Sequence, residues 1–227
     1  QSKAAFLANM SHDLKTPLAR IRGFAELSLI HEENMEDFCA MASNTIEESD
    51  RLLDMINTML VISKAEAGEG EFDFKKTNLS LMIKNACDLF EPLADDKNIR
   101  FDTTIEDQIF IVADTKMLQR AFSNLLDNAI KYTLENGKIN VIVLKDNNCI
   151  IIRIEDTGIG IAKKYLEKIF QRFYRTESSR TRQGTGLGLS FARTIVRQHK
   201  GEIIVTSFPG KGSVFEITLP YRNPGVI

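Results

Sequence analysis

Cysteine is scarce here and odd in number: Cys39, Cys87 and Cys149 stand far apart in the chain. Three such residues make neither a disulfide framework nor a zinc cluster, and they suit buried, inert thiols in a reducing compartment. An excess of one charge is also missing, with 29 Lys+Arg against 31 Asp+Glu and a net charge of −2. That balance argues against a nucleic-acid-binding domain built on a basic face and against an acidic tail. No apolar run approaches the ~18 residues a membrane helix requires. No charged-then-apolar leader opens the chain, and no internal repeat or low-complexity segment is present. The first residue is Gln1 rather than Met, and the chain is expected to be a fragment of something longer.

What is present is an ordinary globular composition: 227 residues, 43% hydrophobic and 26% charged, enough for one large domain or two small ones. The charge is unevenly spread. Residues 1–66 carry 6 Lys+Arg against 11 Asp+Glu, and residues 67–227 carry 23 against 20. Ala67-Gly68-Glu69-Gly70 marks the same place as a short polar linker. The expected division is a first domain over 1–66, a linker over 67–73 and a second domain over 74–227.

The first part reads as two helices. Leu14, Leu18, Ile21 and Ala25 recur at helical spacing, as do Phe38, Met41, Thr45, Leu52, Ile56 and Met59, with a polar turn at His31-Glu32-Glu33-Asn34. Such a pair has a stripe to bury and no third layer, so a dimeric four-helix bundle is expected. The second part alternates. Helices are expected at 79–93, with Asn78 as cap, at 117–132, closed by Gly137, and at 186–199. Strands are expected at 99–104, 109–113, 138–145, 149–155, 202–207 and 213–219. Helices on one face of a mixed sheet make a two-layer α/β sandwich.

Four segments carry chemistry. In Ser11-His12-Asp13-Leu14-Lys15-Thr16-Pro17-Leu18, ~100° per residue puts His12 opposite the apolar stripe, towards solvent. Thr16 lies one turn on, over the same face. Asp13 can accept a proton from one ring nitrogen and leave the other nucleophilic. Pro17 crowds the carbonyl of Asp13, so a bend is expected there. Asp156-Thr157-Gly158-Ile159-Gly160 follows a strand, and Gly184-Thr185-Gly186-Leu187-Gly188 precedes a helix. Glycines let a ligand approach the backbone, and N–H groups at a helix start favour phosphate. Neither cluster is a Rossmann fingerprint or a P-loop. Finally, Asn124, Asn128 and Lys131 fall at i, i+4 and i+7 on one helix face, a stripe able to hold a hydrated Mg²⁺ and a phosphate. Each segment alone also has a plain reading: a polar helix face with an incidental proline, ordinary turns, a solvated stripe.

In order and spacing, the segments resemble the transmitter region of a sensor histidine kinase over the whole chain. His12 to Leu18 is similar to the phosphoacceptor box and Asn124 to Tyr132 to the asparagine box. Asp156 to Gly160 is similar to the first glycine box, Phe170-Gln171-Arg172-Phe173-Tyr174 to the phenylalanine box, and Gly184 to Gly188 to the second glycine box. The resemblance implies a dimerising phosphotransfer hairpin followed by an ATP-binding domain of the fold shared by Hsp90 and type II topoisomerase. It implies His12 as phosphoacceptor and Asp13 as its base. Asn128 is the implied Mg²⁺ ligand with Asn124 nearby, Lys131 meets phosphates and Tyr132 packs on adenine. Asp156 accepts the adenine amino proton, and Gly158, Gly160, Gly184, Thr185, Gly186, Leu187 and Gly188 line the nucleotide. Arg172 or Arg175 reaches the γ-phosphate; both stay open.

The implied partners are a second copy of the chain and the receiver domain of a response regulator, with no nucleic acid. The implied location is cytoplasmic, with any membrane attachment in segments outside this chain. Asp13 stands where the family often has Glu. An ATPase of the same fold is disfavoured by an exposed His12, and a partner-binding scaffold by the Asn128, Asp156 and glycine set. Thr16 is expected to orient a water for attack on a partner aspartyl-phosphate. His31 and His199 are not candidate acceptors, and His199 is expected to bring a welcome positive charge to a helix C-terminus.

Overall fold

The computed structural model describes residues 15–27, 35–146, 148–176 and 184–221. A helix over 15–27, α1, is followed by the 33-residue α2, Met35–Ala67. The α/β part runs β1 (Lys75–Asn78), α3 (Leu79–Asp95), β2 (Arg100–Ile105), β3 (Phe110–Ala113) and α4 (Thr115–Tyr132). It continues through β4 (Lys138–Asp146), β5 (Cys149–Asp156), α5 (Gly188–Gln198), β6 (Glu202–Phe208) and β7 (Gly212–Pro220). The expected hairpin turn, His31 to Asn34, lies outside the described residues.

Five strands form one sheet in the order β2-β4-β5-β7-β6, and β1 pairs with β3 as a separate antiparallel ribbon. β2 and β4 run parallel because β3 and α4 make the crossover between them; the other pairs are antiparallel. Alternation explains the layering. Ile139, Val141 and Val143 of β4 and Ile150, Ile152 and Ile154 of β5 all point inward. They meet Leu118, Leu125 and Leu126 of α4 and Phe191 and Ile195 of α5 in one core. The two-layer sandwich is therefore present, with its helices on one face.

Local chemistry sets the helix ends. The Asn78 side chain accepts the Leu81 N–H at 3.1 Å and starts α3; Asp114 accepts the Met117 N–H at 3.0 Å and starts α4. α5 has no side-chain cap, and it begins at Gly188 rather than Gly186. The end of α4 differs from expectation. Its C-cap is Thr133, and the left-handed residue beyond it is Asn136, at φ 62°. Gly137 is needed for space instead, since a Cβ there would come 2.4 Å from Thr133 Cγ2.

The helical part does meet a third layer within the chain. Met55, Thr58, Ile62 and Ala65 of α2 are buried, and Met55 and Met59 pack on Phe173 and Leu187. Arg120 of α4 binds Asp54 at 2.7 Å and the Thr58 hydroxyl at 2.5 Å. Other apolar residues of α2 stay in water: Phe38 is 53% exposed, Ile46 62% and Leu53 57%. Among the described residues no helix is long and apolar enough to cross a membrane.

Candidate functional site

The strand ends of β5 and β7, the polar face of α4 and the start of α5 enclose a cavity of about 590 Å³. Asn124, Asn128, Lys131 and Tyr132 of α4 line it, with Asp156, Gly160, Arg175, Gly184, Thr185, Gly186 and Gly188. Segments separated by some sixty residues of chain therefore share one chamber. Three of the expected residues stand outside the lining. Gly158 lies behind the turn, against the Tyr132 carbonyl, and Leu187 is buried with Met55 and Phe173. Arg172 pairs with Glu66 of α2. His12 and Asp13 lie outside the described residues, and Thr16 is exposed on α1.

Asp156 closes the deep end. Its Oδ1 accepts the Gly158 N–H at 2.8 Å, and the Ser213 N–H and hydroxyl also donate to the carboxylate. Burial pushes its carboxyl above the ordinary carboxylate value, and these three donors pull the other way. The result is a buried acceptor with fixed orientation beside apolar walls from Ile161, Tyr165, Ile169, Tyr174, Leu189 and Phe215. Composition and spacing did not single these walls out, nor Ser213. They lie on three separate stretches, 161–174, α5 and β7, and of them only Tyr174 falls within one of the motifs, the phenylalanine box.

Glycine is required where the cavity floor meets the β6–β7 turn. Gly160 has φ 65°, and a Cβ there would come 2.0 Å from the Phe208 carbonyl oxygen. Gly212, at φ 90°, would press a Cβ to 1.8 Å from the Asp156 carbonyl oxygen. Any side chain at either place pushes the floor away from Asp156.

The other end of the chamber is cationic and rich in backbone N–H groups. The uncapped start of α5 faces it, with its first-turn N–H groups and helix dipole available to an anion. Lys131 reaches the same segment, since a Cβ on Gly184 would lie 2.9 Å from its Nζ. Arg175 Nη1 donates to the Gly184 carbonyl at 2.7 Å. On α4, Asn128 Nδ2 donates to the Asn124 carbonyl at 2.7 Å. That leaves the Asn128 amide oxygen as the atom to offer a hard cation, which takes oxygen donors. An apolar slot ending in one acceptor, joined to an anion-binding mouth, fits a flat base carrying a chain of phosphates.

The site is tied to α2 through Phe173. This residue holds a left-handed backbone at φ 59°, donates its N–H to the Gly186 carbonyl at 3.0 Å and buries its ring against Met55. His199, at the end of α5, departs from the expected helix-end positive charge. It is buried, and burial lowers its pKa below the ordinary imidazole value. Desolvation outweighs the helix-end field here, so the neutral ring is favoured.

Comparison with known proteins agrees with this geometry. Residues 113–223 match the family described as histidine kinase-, DNA gyrase B- and HSP90-like ATPase, and residues 2–68 match the His kinase A (phospho-acceptor) domain. The sensor histidine kinase WalK of Bacillus subtilis is 32% identical, over 98% of this chain and 37% of WalK. The probable sensor protein PcoS of Escherichia coli is 34% identical, over 94% of this chain and 46% of PcoS. The chain thus spans about half or less of these curated relatives. Among solved structures, the catalytic domain of histidine kinase ThkA superposes with a TM-score of 0.59 at 32% identity, over 66% of this chain and 96% of that one. ThkA in complex with response regulator protein TrrA superposes with a TM-score of 0.74 at 26% identity, over 96% of this chain and 61% of that one. With both family domains in order and the catalytic-domain relative covered almost end to end, the chain belongs to the histidine kinases, as their transmitter region.

Proposed function

We propose that this chain transfers the γ-phosphoryl group of ATP to His12, and that the phosphohistidine then passes the group to an aspartate on the receiver domain of a response regulator. The observation that carries the reading is the chamber itself: a buried, oriented Asp156 at an apolar end and the uncapped start of α5 with Lys131 and Arg175 at the other. Residues 1–66 supply the acceptor hairpin, 67–73 the linker and 74–227 the nucleotide domain. Two copies join through the hairpin. The working location is the cytoplasm.

Each residue then has a role in binding or transfer. The Asp156 carboxylate accepts the adenine amino proton. Guanine presents a carbonyl there, so acceptor would face acceptor. Tyr132 packs against the base. The N–H groups of 184–188 cradle phosphate oxygens, Lys131 offsets their charge, and Arg175 meets the γ-phosphate, while Arg172 is engaged with Glu66. Asn128, with Asn124 nearby, would hold Mg²⁺, which would neutralise charge on the phosphate chain. Asp13 takes the proton from one nitrogen of His12 and the other nitrogen attacks the γ-phosphorus in line. The bond from that phosphorus to the bridging oxygen breaks and ADP leaves. Thr16 serves the reverse chemistry on the partner, orienting water for attack on its aspartyl-phosphate.

The test is incubation with γ-labelled ATP and Mg²⁺. Label on the protein that is lost in acid and kept in base is the expected result. Free phosphate without labelled protein points to an ATPase, and neither product points to a binding scaffold.

A further inference from the structure

The end of α5 carries a buried imidazole that the nucleotide chemistry does not use. His199 is 8% exposed. Its Nδ1 lies 2.8 Å from the Ile195 carbonyl oxygen, and a carbonyl only accepts, so Nδ1 carries the proton. Its Nε2 lies 3.0 Å from the backbone nitrogen of Asp114, and an amide only donates, so Nε2 carries the lone pair. The neutral ring is the one form that satisfies both partners.

Asp114 is also the point where the linker is held. Its Oδ1 accepts the Met117 N–H and caps α4, and its Oδ2 accepts the Asp73 N–H, both at 3.0 Å. The Phe74 ring lies 5.1 Å from the His199 ring, and Phe72 lies 5.9 Å from Phe74. Next to His199, Gln198 Nε2 donates to the Ala65 carbonyl at 3.0 Å, in the last turn of α2. The linker is thus held at its start by the Ala65 and Lys64 carbonyls, which accept the Gly68 and Glu69 N–H groups, and at its end, Asp73 and Phe74, by Asp114 and His199.

We infer that His199 and Asp114 form an acid-sensitive clasp on residues 68–74, closed around the neutral imidazole and opened by its protonation. The imidazolium sets N–H against N–H across 3.0 Å. The acceptor that can take the new proton is the Asp114 carboxylate, whose negative charge favours a protonated ring. Turning to His199, that carboxylate gives up Asp73, Met117 or both.

Other charged groups stand on the surrounding elements, among them Glu69 and Glu71 of the linker itself. Asp73 of the linker pairs with Lys75 of β1 at 3.3 Å, and Glu66 of α2 pairs with Arg172. Lys64 stands on the last turn of α2, Arg197 and Lys200 flank His199, and Glu202 opens β6. Histidine is the side-chain type that ordinarily changes charge between pH 5 and 8. Burial holds His199 below its usual value, so the clasp is closed at neutral pH. The stability it contributes is complete above about pH 6.5 and is lost as the pH falls through the lowered folded value.

The experiment is amide hydrogen exchange on the whole chain between pH 7.5 and 5.0, corrected for intrinsic rates. Protection of 68–74 should fall by up to about tenfold per pH unit as the pH drops below about 6.5 and level off below the lowered folded value, while β4 and β5 stay flat. His199→Gln keeps an amide donor and acceptor but does not titrate, and its linker should show no such slope. Equal slopes in both proteins, or no slope in the natural one, overturn the clasp. If the glutamine variant does not fold, the His199 titration is read by NMR in the natural protein and in Asp73→Pro, which lacks the linker N–H. Freed from the linker, Asp114 should raise the titration midpoint; an unmoved midpoint also overturns the proposal.

Discussion

α2 and α4 are both long amphipathic helices, yet one chain buries them very differently. α4 places Leu118, Leu125 and Leu126 wholly inside, between the sheet and its helical neighbours. α2 buries one row, Met55 to Ala65, on the α/β unit and leaves Phe38, Ile46 and Leu53 more than half in water. Each row shows the helical period; what differs is whether the same chain supplies a surface to cover it. The nucleotide unit is complete within one chain, whereas the hairpin leaves apolar area that a second hairpin is proposed to cover.

The largest expected effect divides the two regions by chemistry. His12→Gln should abolish acid-labile labelling altogether while nucleotide affinity, measured by calorimetry, stays as it was. Persistent labelling would move the acceptor elsewhere. Packing separates them next. Leu125→Ala should cost about 2–5 kcal/mol of stability in denaturant, as a large-to-small change in a closed core does. Ile46→Ala should leave the unfolding of the α/β unit in place and weaken self-association, read by sedimentation. A loss of α/β stability in that variant would mean that the exposed row is covered within the chain after all.

Asp156→Asn tests the nucleotide end alone. The amide can turn a donor towards the adenine amino group, at a cost of about 1–3 kcal/mol in binding, with His12 untouched. Normal affinity would remove Asp156 from the adenine contact. The pH dependence has the matching sign. Because burial raises the Asp156 value, the free site takes up its proton at a higher pH than an exposed Asp would. ATP affinity should therefore weaken on acidification before that of a site with an ordinary carboxylate. The smallest effect is at Thr16. Thr16→Ala should slow dephosphorylation of a phosphorylated receiver domain more than it slows autophosphorylation, both measured on one preparation. Equal loss of both points to a changed helix instead of a lost water.

Legibility followed the range of the cause. The Asn78 cap and the β4–β5 hairpin were readable because each is decided within a few residues. β1 was not, because Lys75-Lys76-Thr77-Asn78 is polar and short. It is a strand only because β3, some thirty residues on, offers an edge. In the site, Asn124, Asn128 and Lys131 declared themselves by sharing a helix face, and the glycine clusters by their composition. Tyr165, Ile169, Ser213 and Phe215 did not, since nothing local distinguishes a cavity wall from any other core residue.

The sequence alone determined the order of the helices and of the strands other than β1, the family resemblance and the identity of the groups that handle charge, because spacing, caps and turn residues act over one or two helical turns. The tertiary structure decided which of those groups meet. It put Arg175 at the chamber and Arg172 on Glu66. It raised the carboxyl of Asp156 by burying it, and it turned His199 from a helix-end charge into a neutral, buried ring on the linker. Desolvation and the identity of a hydrogen-bond partner depend on what else folds into the same volume, and residues brought together across 85 positions, as His199 and Asp114 are, leave no mark on either local stretch.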